Sequence, residues 1–215
     1  MARIAKGKNI PNRAWFYAEN GSAPPTFHVM WDNSQPGYHT DFKLCQPFNP
    51  EKNTLPIIFN VRNNKWGTQD YVRTWDFLPN STMTVPLVNS RALALLEQIA
   101  PGQFEALPTE LRFEVDGSVI TDYQVINVLN QIDCVDREHS VFKYKNGEID
   151  PWDQFERCYF HLDCLPEGMH MARDKAEFVP LVFSNTLYKE IKERKLTGTK
   201  LRDYYADISF WFGER

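Results

Sequence analysis

An α+β fold, built on a mainly antiparallel sheet with a few short helices, is what this 215-residue sequence predicts. Short β-branched or aromatic runs outnumber helical stretches, and tight-turn dipeptides join runs that neighbour each other in sequence. The helix signals are confined mainly to two places, each directly after a short apolar strand. Hydrophobic residues make up 42% of the chain and charged residues 24%, a balance that can bury a proper core and excludes a disordered chain.

Along the chain, Arg13 to Ala18 and Phe27 to Trp31 are short and aromatic-rich, as strands often are. A Pro-, Asn-, Asp- and Gly-rich connection then runs from Asp32 to Thr54, and connections of that length are often functional or mobile. Leu55 to Val61 is a further apolar run, stopped by Asn63-Asn64.

Two later segments echo each other. Val85-Pro86-Leu87-Val88-Asn89-Ser90 and Val179-Pro180-Leu181-Val182-Phe183-Ser184 each lead a short strand to a serine placed to cap a helix. The first helix is expected to run from Ser90 to about Ile99, stopped by Pro101-Gly102. The second should run from Ser184 to about Arg194, with basic residues near its end and Gly198 beyond. Each proline removes one ladder donor, which suits a strand start or an edge.

Asp116-Gly117 and Asn146-Gly147 are hairpin signals within Arg112–Ile120 and Val141–Ile149. Phe155 to Leu165 alternates, with Cys158 and Cys164 on one face and His161 on the other. Tyr204 to Phe212 is a terminal apolar strand, to be tied into a sheet or left as an edge for another chain. The whole reads as a single domain over 1–215, with an irregular N-terminal lobe (1–80) and a more regular region (81–215).

The net charge of −4 argues against nucleic acid as the main partner, because phosphate binding calls for a basic patch. No apolar run reaches the length of a signal peptide or membrane span, so no membrane partner is expected and the cytoplasm is the expected location. Cys45, Cys134, Cys158 and Cys164 fit free thiols in a reducing compartment. Aromatics reach 14%; Trp15, Phe16, Tyr17, Trp31, Trp66 and Trp75 either pack the lobe or form a recognition surface.

The most informative segment is Tyr123 to Ser140, a β-branched strand that ends in Asp133, Asp136, Arg137, Glu138 and His139. Carboxylates beside a histidine are the parts of general acid–base catalysis or of a divalent-metal site. Yet the chain has no G-x-S-x-G, no phosphate-binding G-x-x-x-x-G-K-[ST] and no H-E-x-x-H. The competing structural reading has Asp133 or Asp136 capping the strand end and pairing with Arg137. Asn127 and Asn130 fall within the expected strand on opposite faces, so at least one is expected to have a specific hydrogen-bonding duty. Cys158-x-x-His161-x-x-Cys164 has zinc-like residue types, but strand alternation separates the histidine from the thiols. No metal and no cofactor is expected.

On Asn127-Val128-Leu129, Asp133-Cys134-Val135-Asp136 and Ser140, the chain resembles a family of bacterial immunity proteins, the eleventh of polymorphic toxin systems and formerly a domain of unknown function. Val179-Pro180-Leu181-Val182-Phe183-Ser184, Leu196-Thr197-Gly198-Thr199-Lys200-Leu201 and the Val85-to-Pro108 segment with Pro101-Gly102-Gln103-Phe104 add to it. The resemblance covers about the C-terminal two-thirds. It implies a cytoplasmic protein that binds and neutralises a cognate secreted toxin encoded beside it, and it supplies no catalytic residue. Asn127, Asp133, Asp136, Arg137 and Ser140 then read as family-marking structural residues; the resemblance identifies no toxin-contacting residue, and the candidates for contact are loop groups, Tyr38, His39 and Trp66. The rival is an enzyme working through Asp133, Asp136 and His139, for example one reversing a toxin's modification. A homo-oligomer assembled through the terminal strand is the third reading.

Overall fold

The computed structural model describes residues 12–17, 29–32, 34–35, 38–62, 67–78, 80, 85–133, 135–142, 144–145, 148–149, 155–159, 161, 164–175, 181–203 and 205–207. The fold is α+β, with a curled, mostly antiparallel set of sheets and four short helices among the described residues.

The largest sheet runs β2 (Val29–Trp31), β3 (Ile57–Val61), β6 (Phe104–Phe113), β8 (Tyr123–Val128), β5 (Leu87–Asn89), β4 (Phe77–Leu78), with β7 (Val119–Ile120) returning onto β6. β3 pairs with β6 in parallel, Ile57 opposite Thr109, so strands from both sides of residue 80 share one sheet. A second sheet runs β16 (Thr199–Asp203), β1 (Asn12–Tyr17), β15 (Val182–Ser184), β14 (Met171–Asp174), β9 (Gln131–Ile132), and its β9–β14 pair is also parallel. Smaller ladders join β10 (Val141–Phe142), β13 (Phe155–Tyr159) and β17 (Tyr205–Asp207), and β11 (Tyr144–Lys145) with β12 (Glu148–Ile149). Of the expected terminal strand Tyr204–Phe212, Tyr205–Asp207 pairs with β13 at the edge of this three-stranded sheet, and the rest lies outside the described residues.

The central sheet is apolar on both faces because successive residues alternate sides. Leu78, Leu87, Tyr123 and Val125 join one core with Trp31, Phe42, Phe59, Trp75 and Phe113. Their neighbours Phe77, Val88, Ile126 and Val128 join the other. That second core is covered by α3 (Ser90–Ile99) and α4 (Asn185–Glu193), through Leu95, Leu96, Leu187 and Ile191. The short α1 (Tyr38–Lys43) and α2 (Gln69–Val72) give Phe42 and Val72 to the first core.

Both expected helices form where the caps allow. α4 starts at Ser184, whose Oγ accepts from the Leu187 N–H at 3.2 Å. It ends with Leu196 N–H bonded to the Ile191 carbonyl at 3.0 Å and Lys195 N–H to Lys192 at 3.1 Å, while Ile191 and Leu196 share the core. This is a Schellman stop, and Lys195 (φ 51°) takes the left-handed position rather than Gly198. α3 is capped by Asn89, whose Oδ1 accepts from Ala92 N–H at 3.0 Å, so Ser90 is its first helical residue and not its cap. Pro86 immediately precedes β5, the strand-start position that its missing N–H favours. Asn130 lies just beyond β8 rather than within it.

Gly198 joins the two halves of the chain. At φ +89° its backbone packs so closely on Phe77 that a Cβ would sit 1.8 Å from the Phe77 carbonyl oxygen. Phe77 N–H bonds the Thr197 carbonyl at 3.0 Å, and Thr197 N–H bonds the buried Asp76 carboxylate at 2.8 Å. Asn89 Nδ2 at 3.0 Å and Arg91 at 3.2 Å reach the same carboxylate, and Arg91 also donates to the Arg194 carbonyl. One buried acid therefore holds the start of α3, the end of α4 and the approach to β4.

Candidate functional site

The charged segment after β9 is a compact turn. Asp136 accepts from the His139 backbone N–H at 3.1 Å and faces its ring Nδ1 at 2.7 Å, while the Asp136 carbonyl accepts from Ser140 N–H at 2.9 Å. Burial pushes the Asp136 carboxyl up. The His139 bonds and the charges of His139 and His161 outweigh that and hold it below the ordinary carboxylate value. Arg137 reaches Asp174 at 3.2 Å and Asp133 at 3.7 Å. Asp174, with no exposed side-chain surface, also accepts from Val135 N–H at 2.7 Å.

The turn thus has an internal duty for each group except the exposed Glu138. Of the two partners the residue pattern allowed, Asp133 and Asp136, Arg137 pairs with Asp133, but its better-buried partner is Asp174, 37 residues later. The side chains of His139 and Asp133 are 63% and 60% exposed, and among the described residues no hydrogen bond or ion pair joins the two. Ser140 is buried.

Beside this turn lies a second polar set, centred on the strand ends of β6 and β8. Asn127 and Glu105 face each other across those strands. Asn127 Nδ2 donates to Glu105 Oε2 at 3.0 Å and to the Gln46 carbonyl at 2.8 Å, and Glu105 Oε2 also accepts from Phe48 N–H at 2.8 Å. Asn130 Nδ2 donates to the Met171 carbonyl at 2.9 Å, and its own carbonyl accepts from the Cys45 thiol at 3.3 Å. Both asparagines therefore have a specific hydrogen-bonding duty, which was expected of at least one. Gln103 Oε1 accepts from His170 N–H at 2.7 Å and Met171 N–H at 3.1 Å, and its Nε2 donates to the Gly168 carbonyl at 2.9 Å.

Cys45 and Arg173 form the buried end of this set. Burial pushes the Cys45 thiol up, partly offset by the nearby Arg173 charge. Burial pushes the Arg173 guanidinium down to about 10, opposed by Cys45. At neutral pH the thiol is protonated and the guanidinium charged, so the pair is no ready nucleophile.

Trp31 and Trp75 are buried packing residues; Trp31 meets Phe59 edge-on at 5.2 Å. Tyr38 and His39 lie in α1, but their side chains, those of Trp15, Phe16, Tyr17 and Cys158, and the whole of Trp66 and Cys134 lie outside the described residues. Among the described residues no group of three His, Cys, Asp or Glu side chains is placed to hold a metal ion, and no helix is long and apolar enough to cross a membrane. Residue reading did not pick out Asp76, Glu105, Arg173 or Asp174. The available signal was a charged side chain inside an apolar run, as in Trp75-Asp76-Phe77 and Met171-Ala172-Arg173-Asp174.

Comparison with characterised proteins gives no match. Comparison with family models gives one that runs over residues 19–206, and so takes in the segment before residue 70 that carries little of the motif resemblance. The matched span contains the turn, the Asn127–Glu105 pair, the Asp76 junction and both capped helices. This chain belongs to the immunity protein family (Imm11).

Proposed function

We propose that the protein binds a cognate secreted toxin in the cytoplasm of the producing cell and neutralises it by covering the toxin's active site or substrate groove. The observation that carries this reading is the family match over residues 19–206. The geometry of the charged turn is consistent with it: Asp136 is engaged by His139 and Asp133 by Arg137, so among the described residues no hydrogen bond or ion pair links all three groups of the rival enzyme. A stable interface of this kind buries on the order of 1,600 Å² and draws its strength from a few anchors.

The test is co-expression with the toxin encoded beside the gene. The protein should co-purify with that toxin and rescue cells that express it. Failure on both counts overturns the reading. His139→Ala separates inhibition from catalysis: protection should persist, because the ring is exposed and its removal leaves Asp136 bonded to the 139 backbone. Lost protection with intact toxin binding would transfer the role to catalysis.

A further inference from the structure

We draw no further inference here: the strongest candidate, the side-chain pair of His170 Nδ1 and Ser184 Oγ, 2.7 Å apart at the start of α4, is the serine cap of that helix, already bonded to Leu187 N–H, and nothing in the structure points to a ligand for it.

Discussion

Replacing Gly198 with alanine should be among the most damaging single-methyl additions in this protein. The new Cβ would lie 1.8 Å from the Phe77 carbonyl oxygen, 2.7 Å from its carbon and 3.0 Å from its nitrogen. All three are backbone atoms, so no side chain can swing away, and the two segments must part by about 1 Å or more. That movement stretches the 3.0 Å bond between Phe77 N–H and the Thr197 carbonyl, and it disturbs the 2.8 Å bond from Thr197 N–H to Asp76. A neutral bond is worth about 1 kcal/mol and one to a carboxylate about 1.5–3 kcal/mol. The left-handed backbone adds about 1 kcal/mol of strain for a residue with a Cβ. Gly198→Ala should therefore cost about 3–5 kcal/mol, and lower the melting temperature by on the order of 10 °C for a chain of this size. The natural control is Gly102→Ala, at φ +72° with nothing within 4 Å of the added Cβ, where backbone strain alone should cost about 1 kcal/mol. Equilibrium urea denaturation of both variants reads the difference. If Gly198→Ala is no worse than Gly102→Ala, the close approach to Phe77 does not exist and the Asp76 junction has been misread.

Three further outcomes follow from the polar contacts. Gln103→Ala removes three well-formed bonds to the segment 168–171 and should cost about 2–4 kcal/mol, with amide exchange accelerated at His170 and Met171. Asp136 lies below the ordinary carboxylate value when folded, so its contribution is present above the unfolded value of about 3.9 and is lost as pH falls through the lower folded value. Asp136→Asn should flatten the stability profile in that acid window; an unchanged slope there would refute the assignment. Cys45, buried with its thiol pushed up, should resist alkylation in the native protein at pH 8 far longer than the half-buried Cys164, as peptide mapping would show.

Features that depend on neighbours in sequence were legible there. The stretch Ser90–Ile99 and the run opened by Ser184 form helices because capping and stop residues act within a few positions. Even so, Asn89 rather than Ser90 caps α3, since both residues suit the role and only the chain's path selects between them. The charged turn was legible as Arg137 pairing with Asp133 or Asp136, of which Asp133 is the partner, but its buried partner Asp174 was not. Nor was the grip of Asn127 on Gln46, 81 residues away, or of Asp76 on Thr197, 121 residues away. Such bonds join segments that only the folded sheet brings together, and no periodicity encodes them. The motif residues Asn127, Asp136, Gly198 and Gln103 hold loops, a turn and a chain crossing together, so resemblance built on them marks the scaffold.

The central claim is that this protein acts by occupying a toxin. Purified toxin at fixed concentration, titrated with the protein and assayed for residual activity, tests it directly. Stoichiometric inhibition predicts a straight fall to zero at about one protein per toxin, with activity restored when the complex is dissociated. Complete inactivation by a small fraction of an equivalent, persisting after the protein is removed, would contradict it and establish turnover instead.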